Sequence, residues 1–410
     1  MPREQIIAGL DVGSSKIRTV IALLEEEKRM PNIIGVGVAP STGMRKGNII
    51  DVDEAISNIS ASLEDAERMS GAPIHHVFVG MSGHHVESFD SKGVIAISHA
   101  GSEIIEDDLN RVLEAAQAVS MPSNRRILRI IPKSFSVDDQ KGIKNPVGMI
   151  GVRLEVDAHI ITGQTTIVKN LEKAVHQAGV DIDDMIPASL ASAEAVLSRR
   201  QKELGVVVID IGAGSTSLSV YEEGTTLYTA SLPVGGESVT NDIAIGLRTS
   251  IDTAEKIKIE YGTVIPDEVN ERETIDLSLV SKIDQQTVSK RHLAEIIQAR
   301  YHEIFVMAKD ELRSIGRDGM LPAGAILTGA GVKIPGCLDL AREVLGLPVQ
   351  IGFPTEVEGV VDKIDDPAYA TAIGLVVWGA KYEGRSYGFG GMDFKKFFGG
   401  MKGWFKNLLP

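Results

Sequence analysis

The chain has 410 residues, of which 43% are hydrophobic and 24% charged, so it is long enough for two to four globular domains. Its formal net charge of −14 repels phosphate backbones, which excludes nucleic acid as an expected partner of the body of the protein. The single cysteine, Cys337, excludes an intrachain disulfide, and neither a secretory signal nor an apolar stretch of about 18 residues is expected.

The first predicted element is a β-hairpin near the N-terminus, in "IIAGLDVGSSKIRTVIALLEE". An apolar run leads to Asp11, a glycine and two serines follow, and the next run alternates between apolar and polar residues. Alternation with a period of two is typical of a strand. The segment therefore predicts a strand, a glycine turn and a second strand, with Asp11 at the end of the first strand.

The following segments alternate between helical and strand patterns. "HHVFVGMSG" and "VRLEVDAHIITG" predict strands, whereas "EDDLNRVLEAAQAVSM" and "TTIVKNLEKAVHQAG" predict helices. Farther along, "AEIIQARYHEIFVMAKDELRSI" predicts a long helix, and "GAILTGAGVKIPGCLDLAREVLG" predicts a buried strand, a glycine turn and a helix. The mixture indicates an α/β protein with appended subdomains.

A second hairpin is predicted in "VVVIDIGAGSTSLSVYEEG", where Asp210 takes the place of Asp11. Its Gly-x-Gly is not followed by a helix, as a dinucleotide-binding loop requires, and no Gly-Lys-Ser/Thr loop is present. What remains is a glycine turn whose backbone N–H groups can approach a phosphate, with hydroxyl donors at Ser14, Ser15, Ser215 and Thr216. Asp11 and Asp210 can hold Mg²⁺ through its waters. The alternative for each copy alone is a simple tight hairpin.

Two further patterns fit a nucleotide site. Glu255 and Lys258 are three residues apart on one helix face and can reach a ribose and base, although alone they would be an ordinary surface ion pair. The glycines of "LTGAG", from Leu327 to Gly331, would let an adenosine lie against the backbone.

The C-terminal segment "MDFKKFFGGMKGWFKNLLP" differs in charge from the rest of the chain. Four lysines and Asp393 give residues 392–410 a charge of +3, so the remainder carries −14 − (+3) = −17. At 100° per residue the apolar side chains fall within an arc of roughly 140°. This pattern predicts an amphipathic helix in a membrane interface, the alternative being a helix docked on its own body. The apolar residues are Phe394, Phe397, Phe398, Met401, Trp404, Phe405, Leu408 and Leu409, and the lysines are Lys395, Lys396, Lys402 and Lys406.

Two phosphate hairpins facing each other across a cleft are typical of the actin-like ATPase fold, and three segments make the chain resemble the FtsA family of bacterial cell-division proteins. These segments are "NIIGVGVAPSTGMRKGNIID", "GIKNPVGMIGVRLEVDAHIIT" and the C-terminal tail. The resemblance covers nearly the whole chain. It implies duplicated RNase H-like halves around a cleft for ATP and Mg²⁺, an FtsA-specific inserted subdomain, actin-like filaments, and at most a weak ATPase activity.

The resemblance also implies a division of the chain into subdomains. These are 1–83 (1A, first part), 84–162 (the FtsA-specific subdomain 1C), 163–203 (1A, second part, and hinge), 204–245 (2A, first part), 246–318 (2B), 319–380 (2A, second part, and the hinge helix), 381–391 (a flexible linker) and 392–410 (the membrane-targeting helix). The hinge helix matches "DPAYATAIGLVVWG", where small residues allow close packing; a plain core helix is its alternative.

Residue by residue, the resemblance assigns nucleotide contacts to the motifs described above. They are Asp11, Gly13, Ser14, Ser15, Lys16, Asp210, Gly212, Gly214, Ser215, Thr216, Glu255, Lys258, Gly329, Ala330 and Gly331.

The partners implied by the resemblance are the C-terminal peptide of FtsZ, anionic lipids of the inner membrane, other division proteins and further copies of the chain itself. Arg300, Tyr301 and Glu303 match the face that meets the FtsZ peptide, the alternative being a solvated helix surface. The implied location is the cytoplasmic face of the cell membrane at the division septum. Two other functions stay open: a pilus-assembly adaptor of similar architecture, and a kinase of the same superfamily, for which no catalytic base stands out.

Overall fold

The computed structural model describes residues 4–25, 30–98, 103–118, 121–281, 284–359 and 364–382. The predicted membrane-targeting helix, with all its apolar residues and lysines, lies outside the described residues, as does the predicted linker beyond Tyr382.

The described strands and helices alternate along the chain. The strands are β1 (Glu4–Val12), β2 (Lys16–Glu25), β3 (Asn32–Pro40), β4 (Met44–Arg45), β5 (Asn48–Ile49), β6 (His76–Met81), β7 (Glu87–Ala96), β8 (Arg125–Val137), β9 (Gln140–Ile143), β10 (Arg153–Gln164), β11 (Asp181–Pro187), β12 (Val206–Ile211), β13 (Thr216–Glu222), β14 (Thr225–Leu232), β15 (Thr274–Asp276), β16 (Thr287–Ser289), β17 (Ala325–Thr328), β18 (Val349–Ile351) and β19 (Glu358–Gly359). The helices are α1 (Val52–Ser70), α2 (Glu106–Gln117), α3 (Thr165–Gln177), α4 (Ala188–Val196), α5 (Arg199–Leu204), α6 (Gly236–Leu247), α7 (Ile251–Tyr261), α8 (Lys290–Ser314), α9 (Cys337–Leu345) and α10 (Ala370–Tyr382).

The two halves of the chain repeat one sheet arrangement. The first sheet has the order β11-β6-β1-β2-β3-β19, and the second has the order β14-β13-β12-β17-β18. In each, the predicted hairpin is antiparallel, and its first strand also pairs in parallel with a later strand, β6 in the first half and β17 in the second. This confirms the predicted duplication. One apolar core fills the first half and extends into the second through Val206, Val208 and Ile326, and another lies within the second half.

Helices α4 and α10 lie between the two sheets and approach each other closely. A Cβ added at Gly374 would lie 1.8 Å from the carbonyl oxygen of Ala191, and one added at Gly9 would lie 2.5 Å from that of Ala372. Only a glycine fits at such a distance, so small residues permit the close packing expected of this helix. Because α10 begins at Ala370 and ends at Tyr382, it includes the first two residues of the predicted linker.

A separate four-stranded sheet, in the order β7-β10-β8-β9, is inserted into the first half. Helix α2 packs against it and contributes Leu109 and Val112 to a third apolar core. The insert also touches the second half, because Ser88 Oγ donates to the Thr229 carbonyl oxygen at 2.6 Å and His159 Nε2 lies 3.0 Å from Thr229 Oγ1. None of the described helices is both long and apolar enough to cross a membrane.

Candidate functional site

The turns of the two hairpins meet between the two halves. The first turn connects β1 to β2 through Gly13, Ser14 and Ser15, and the second connects β12 to β13 through residues 212–215. A Cβ added at Gly214 would lie 2.5 Å from Ser14 Oγ. The fold therefore brings together two motifs that lie about 200 residues apart in the sequence, as predicted.

Asp11 and Asp210 lie behind these turns, each near the end of its strand. Burial raises the pKa of Asp11 to about 6; the positive charge of Arg18 opposes this rise, and the negative charge of Asp210 adds to it. Burial also raises the pKa of Asp210, and hydrogen bonds from Thr371 and Ser192 oppose that rise. Thr371 Oγ1 donates to Asp210 Oδ2 at 3.0 Å. The two carboxyl groups thus form one electrostatic unit.

Arg18 is a member of this unit that the sequence reasoning missed. It lies directly opposite Asp11 in the register of β1 and β2, and its charge opposes the rise in the pKa of both aspartates. Its guanidinium carbon also lies 5.4 Å from the centroid of the Tyr369 ring. The sequence does contain a signal for Arg18, because a hairpin with its turn at the glycine and serines places Arg18 opposite Asp11. No comparable local signal exists for Thr371 or Ser192.

This donor set fits a magnesium ion held through water. Carboxylate oxygens are the ligands Mg²⁺ prefers, and it usually keeps several of its own waters. Burial favours the neutral form of both carboxyl groups, and a nearby cation would stabilise their charged form. In the described part of the chain no three His, Cys, Asp or Glu side chains form a ready-made metal cluster. Bound there, Mg²⁺ would supply positive charge to neutralise phosphate oxygens.

The second turn is tied to the start of α6. Gly236 N donates to the Gly212 carbonyl oxygen at 2.9 Å, and Glu237 N donates to that of Ala213 at 2.8 Å. A Cβ added at Gly235 would lie 2.6 Å from both carbonyl oxygens. The position of this glycine turn is thus coupled to α6.

Glu255 and Lys258 belong to a partly buried network that reaches the same place. Lys258 Nζ lies 2.5 Å from Glu255 Oε2 and donates to Thr240 Oγ1 at 2.8 Å and to the Gly236 carbonyl oxygen at 3.2 Å. Its side chain is only 13% exposed, so the pair is more than an ordinary surface ion pair. The network links α7 to the helix that anchors the second turn.

The predicted adenosine turn follows β17 and lies against Asp210. Gly329 has φ +87°, a conformation that favours glycine, and a Cβ there would lie 2.3 Å from Asp210 Oδ1. Ala330 is exposed, and a short 3₁₀ helix covers Ala330–Lys333. The turn is held from below by Tyr301, whose hydroxyl donates to the Gly331 carbonyl oxygen at 2.6 Å.

That contact shows that one part of the predicted FtsZ-binding face is wrong. Tyr301 is only 3% exposed and packs in the core of the second half. Arg300 and Glu303 do lie on the outer side of α8, where they form an ion pair. Successive residues of a helix are 100° apart, so neighbours in sequence need not share a face. Arg300 also forms a two-pronged ion pair with Asp242 of α6, with N···O distances of 2.6 and 2.9 Å.

A second correction concerns Thr216. It is fully buried, and its hydroxyl donates to the Val234 carbonyl oxygen at 2.9 Å. It therefore supports the turn from behind and does not offer its hydroxyl to a phosphate. Ser215 is also buried, whereas Ser15 and Lys16 are exposed at the rim of the first turn.

Comparison with known proteins identifies a family for both the body and the insert. The model described as "Cell division protein FtsA" matches residues 207–374, and that of the "SHS2 domain inserted in FTSA" matches residues 83–162. The chain is 38% identical to Cell division protein FtsA of Pseudomonas aeruginosa over 92% of this chain and 89% of that protein. It is 39% identical to that of Bacillus subtilis over 95% and 87%.

Solved structures with similar folds are much more distant in sequence. A chain of a PilM-PilN type IV pilus biogenesis complex has a TM-score of 0.66 at 17% identity, covering 91% of this chain and 98% of that one. MreB 5 of Spiroplasma citri bound to AMPPNP has a TM-score of 0.54 at 14% identity, covering 100% of both chains. These similarities show the actin-like fold.

Proposed function

Because this chain belongs to the FtsA family of cell division proteins, we propose that it binds ATP with Mg²⁺ between its two halves, assembles into actin-like filaments and tethers FtsZ to the cytoplasmic face of the membrane at the division septum. In this proposal the protein is an adaptor, with at most a weak ATPase activity. The subdomain boundaries expected from the sequence are part of the proposal.

The observation that carries the nucleotide proposal is the meeting of Ser14 and Gly214 beside two partly buried carboxyl groups, those of Asp11 and Asp210. Backbone N–H groups of glycine turns bind phosphate oxygens, and the carboxylates suit the waters of a magnesium ion. Glu255, Lys258 and the turn from Gly329 to Gly331 would contact the nucleoside. The MreB structure named above contains AMPPNP, which supports the same use of the fold here.

The proposed membrane attachment rests on the sequence of residues 392–410. Each large apolar side chain contributes about 1.5–3 kcal/mol when fully buried. Each lysine near an anionic leaflet adds about 1 kcal/mol. Three glycines oppose helix formation by about 1 kcal/mol each. Even half-complete burial of eight apolar side chains exceeds that cost, so we expect reversible binding that strengthens when many tails are joined in one filament.

The proposed FtsZ contact uses the outer face of α8, represented by Arg300 and Glu303. A cation on this face would attract an acidic peptide end. The pilus-assembly alternative is less well supported, because the pilus complex is similar in fold only, whereas division proteins match at more than twice its sequence identity. The kinase alternative lacks an observation in its favour.

The experiment that tests this function is co-sedimentation with anionic liposomes, with and without Mg-ATP, followed by electron microscopy. We expect the protein to bind liposomes, to form filaments on them with Mg-ATP, and to recruit FtsZ. Neutral liposomes are the matched control for the lipid charge. Binding without any effect of Mg-ATP would contradict the nucleotide proposal, and failure to bind would contradict the membrane proposal.

A further inference from the structure

A small hairpin stands beside the two phosphate turns and has no role in the function proposed so far. It consists of β4, the turn Lys46–Gly47 and β5. Lys46 has φ +50° and Gly47 has φ +78°, so both turn residues are in the left-handed region. Two such residues in succession make a tight hairpin turn, and a lysine at the first position is unusual.

The backbone of this turn is packed against both halves of the protein. Gly47 N donates to Ser14 Oγ of the first phosphate turn at 3.1 Å. A Cβ added at Gly214, in the second phosphate turn, would lie 2.8 Å from the Cα and 3.0 Å from the N atom of Lys46. On a third side, a Cβ added at Gly47 would lie 2.2 Å from the carbonyl oxygen of Ser82. Lys46 is thereby fixed where the tips of the two phosphate turns meet.

The side chains at this point carry positive charge that no acidic side chain among the described residues neutralises by direct contact. Arg45 and Lys46 are exposed, and neither forms an ion pair with an acidic residue in the described part of the chain. Their charge reaches the start of α6: burial raises the pKa of Glu237, and Arg45, Lys258 and Lys46 oppose that rise whereas Glu255 adds to it. Both cations therefore lie close enough to Glu237 for their charges to act on it.

The position of Lys46 differs from that of the predicted nucleoside contacts. Lys258 donates to the carbonyl oxygen of Gly236 at the start of α6, and Gly331 packs against Ile211, both within the second half. Lys46 instead stands on the first half, at the junction of the two turn tips. A polyphosphate that extends from the nucleoside contacts toward that junction would present its last phosphate to this lysine.

We propose that the β4–β5 hairpin is a third phosphate-binding element, in which Lys46 binds the terminal phosphate of a nucleoside triphosphate. This inference rests on the proposed function, since it concerns the same cleft. A charge-assisted contact to that phosphate would favour the triphosphate over the diphosphate. Because the hairpin contacts both Ser14 and Gly214, a phosphate bound to Lys46 would affect the phosphate turns of both halves.

The test is the affinity of the full-length protein for Mg-ATP and Mg-ADP, measured by calorimetric titration for the parent and for Lys46→Asn and Lys46→Arg. Asparagine tolerates the left-handed conformation, so it removes the charge while keeping the turn. Lys173→Gln, at an exposed position of α3, is the control of equal charge change. Circular dichroism checks folding of each variant.

We expect Lys46→Asn to weaken ATP binding by about 10- to 100-fold and ADP binding by less than about threefold, as loss of one hydrogen bond to a charged group predicts. Lys46→Arg should restore most of the ATP affinity, and Lys173→Gln should match the parent. An equal loss for both nucleotides, or no loss, would overturn the assignment of Lys46 while leaving the cleft intact. A parent protein that binds neither nucleotide would refute the proposed function itself, and this assignment with it.

Discussion

At the residue scale, the proposed nucleotide site contains two carboxyl groups, Asp11 and Asp210, that burial drives toward their neutral form. Asp210 is held between Thr371 Oγ1, which donates to it, and Gly329, which has no side chain to displace it. Such an arrangement offsets the cost of burying the carboxyl group only in part, because the pKa of Asp210 stays raised despite this donor and the charge of Arg18. It is typical of a site that is completed by a ligand.

Replacing Asp210 by asparagine keeps the size of the side chain and removes its charge. We expect Mg-ATP affinity to fall by about tenfold or more, since a charged contact to the hydrated metal is lost. A fluorescent ATP analogue, titrated with and without Mg²⁺, measures the effect. Asp65→Asn, on the exposed side of α1, is the control. If Asp210→Asn retains the full magnesium dependence, the proposed magnesium site is wrong.

His85 provides a prediction about stability and pH. It is 1% exposed, and burial lowers its pKa to about 4, helped by the charges of His84 and Arg125 and opposed by the Ser82 backbone. The unfolded chain therefore takes up a proton at higher pH than the folded protein. The stability of the folded protein is therefore not reduced by His85 above about pH 6.5, and it falls as the pH decreases from there toward 4.

We expect protonation of His85 to lower the free energy of unfolding by about 2 kcal/mol when the pH is changed from 7 to 5. His85→Leu should lose correspondingly less stability over that interval, whereas the same substitution at exposed His302 should behave like the parent. Urea unfolding at the two pH values measures the difference. Equal pH dependence of His85→Leu and the parent would show that His85 is not the buried proton acceptor.

At the element scale, α8 serves two sides of the second half. Its inner side packs in the core and supports the adenosine turn through Tyr301. Its outer side carries Arg300, which clamps α6 through Asp242. Since α6 also anchors the second phosphate turn, α8 connects the proposed nucleotide site to the proposed FtsZ-binding face.

Reversing the charge at Arg300 tests that face. Arg300→Glu should reduce recruitment of FtsZ to liposome-bound protein by about tenfold or more, because like charges across an interface are costly. The readout is the amount of FtsZ that sediments with the liposomes.

Asp242→Asn is the matched control, because it breaks the clamp on α6 without placing a negative charge on α8. It should retain recruitment, and both variants should still bind Mg-ATP. Equal losses in the two variants would mean that the clamp matters and the charge of the face does not.

At the scale of the whole molecule, the acidic body and the basic tail point to a division of tasks. Deleting the chain from Met392 onward should abolish liposome binding and leave the body folded. Trp404→Glu should weaken binding strongly, because it places a charge in the apolar arc and adds repulsion from anionic lipid. The liposome-bound fraction measures both effects.

Gly403→Glu is the matched control for the tail, because position 403 falls on the polar side of the helical wheel. This variant should weaken liposome binding less than Trp404→Glu does. Binding should also decrease with salt, since charges are screened within about 8–10 Å near physiological ionic strength. If the truncated protein still binds liposomes, or if the two glutamate variants are equivalent, the tail is a docking segment for protein.

The sequence by itself determined the duplicated hairpins, the α/β architecture and the place of Asp11 and Asp210 at the strand ends. These features depend on local sequence, because alternation of apolar and polar residues predicts a strand and glycines predict a turn. Family-specific segments added the insert, which the structure contains as a separate sheet. The register of the first hairpin also places Arg18 opposite Asp11, a pairing that can be inferred from the sequence of the turn.

Only the tertiary structure decided which side of each element faces the cleft. It turned Tyr301 and Thr216 inward, gave Asp210 its partner on α10, and brought Lys46 to the junction of turns almost 170 residues from one of its neighbours, Gly214. Side-chain direction within an element follows from its period, but its orientation toward the rest of the molecule is set by packing between distant segments. That packing depends on the burial of both cores at once, which no local pattern contains.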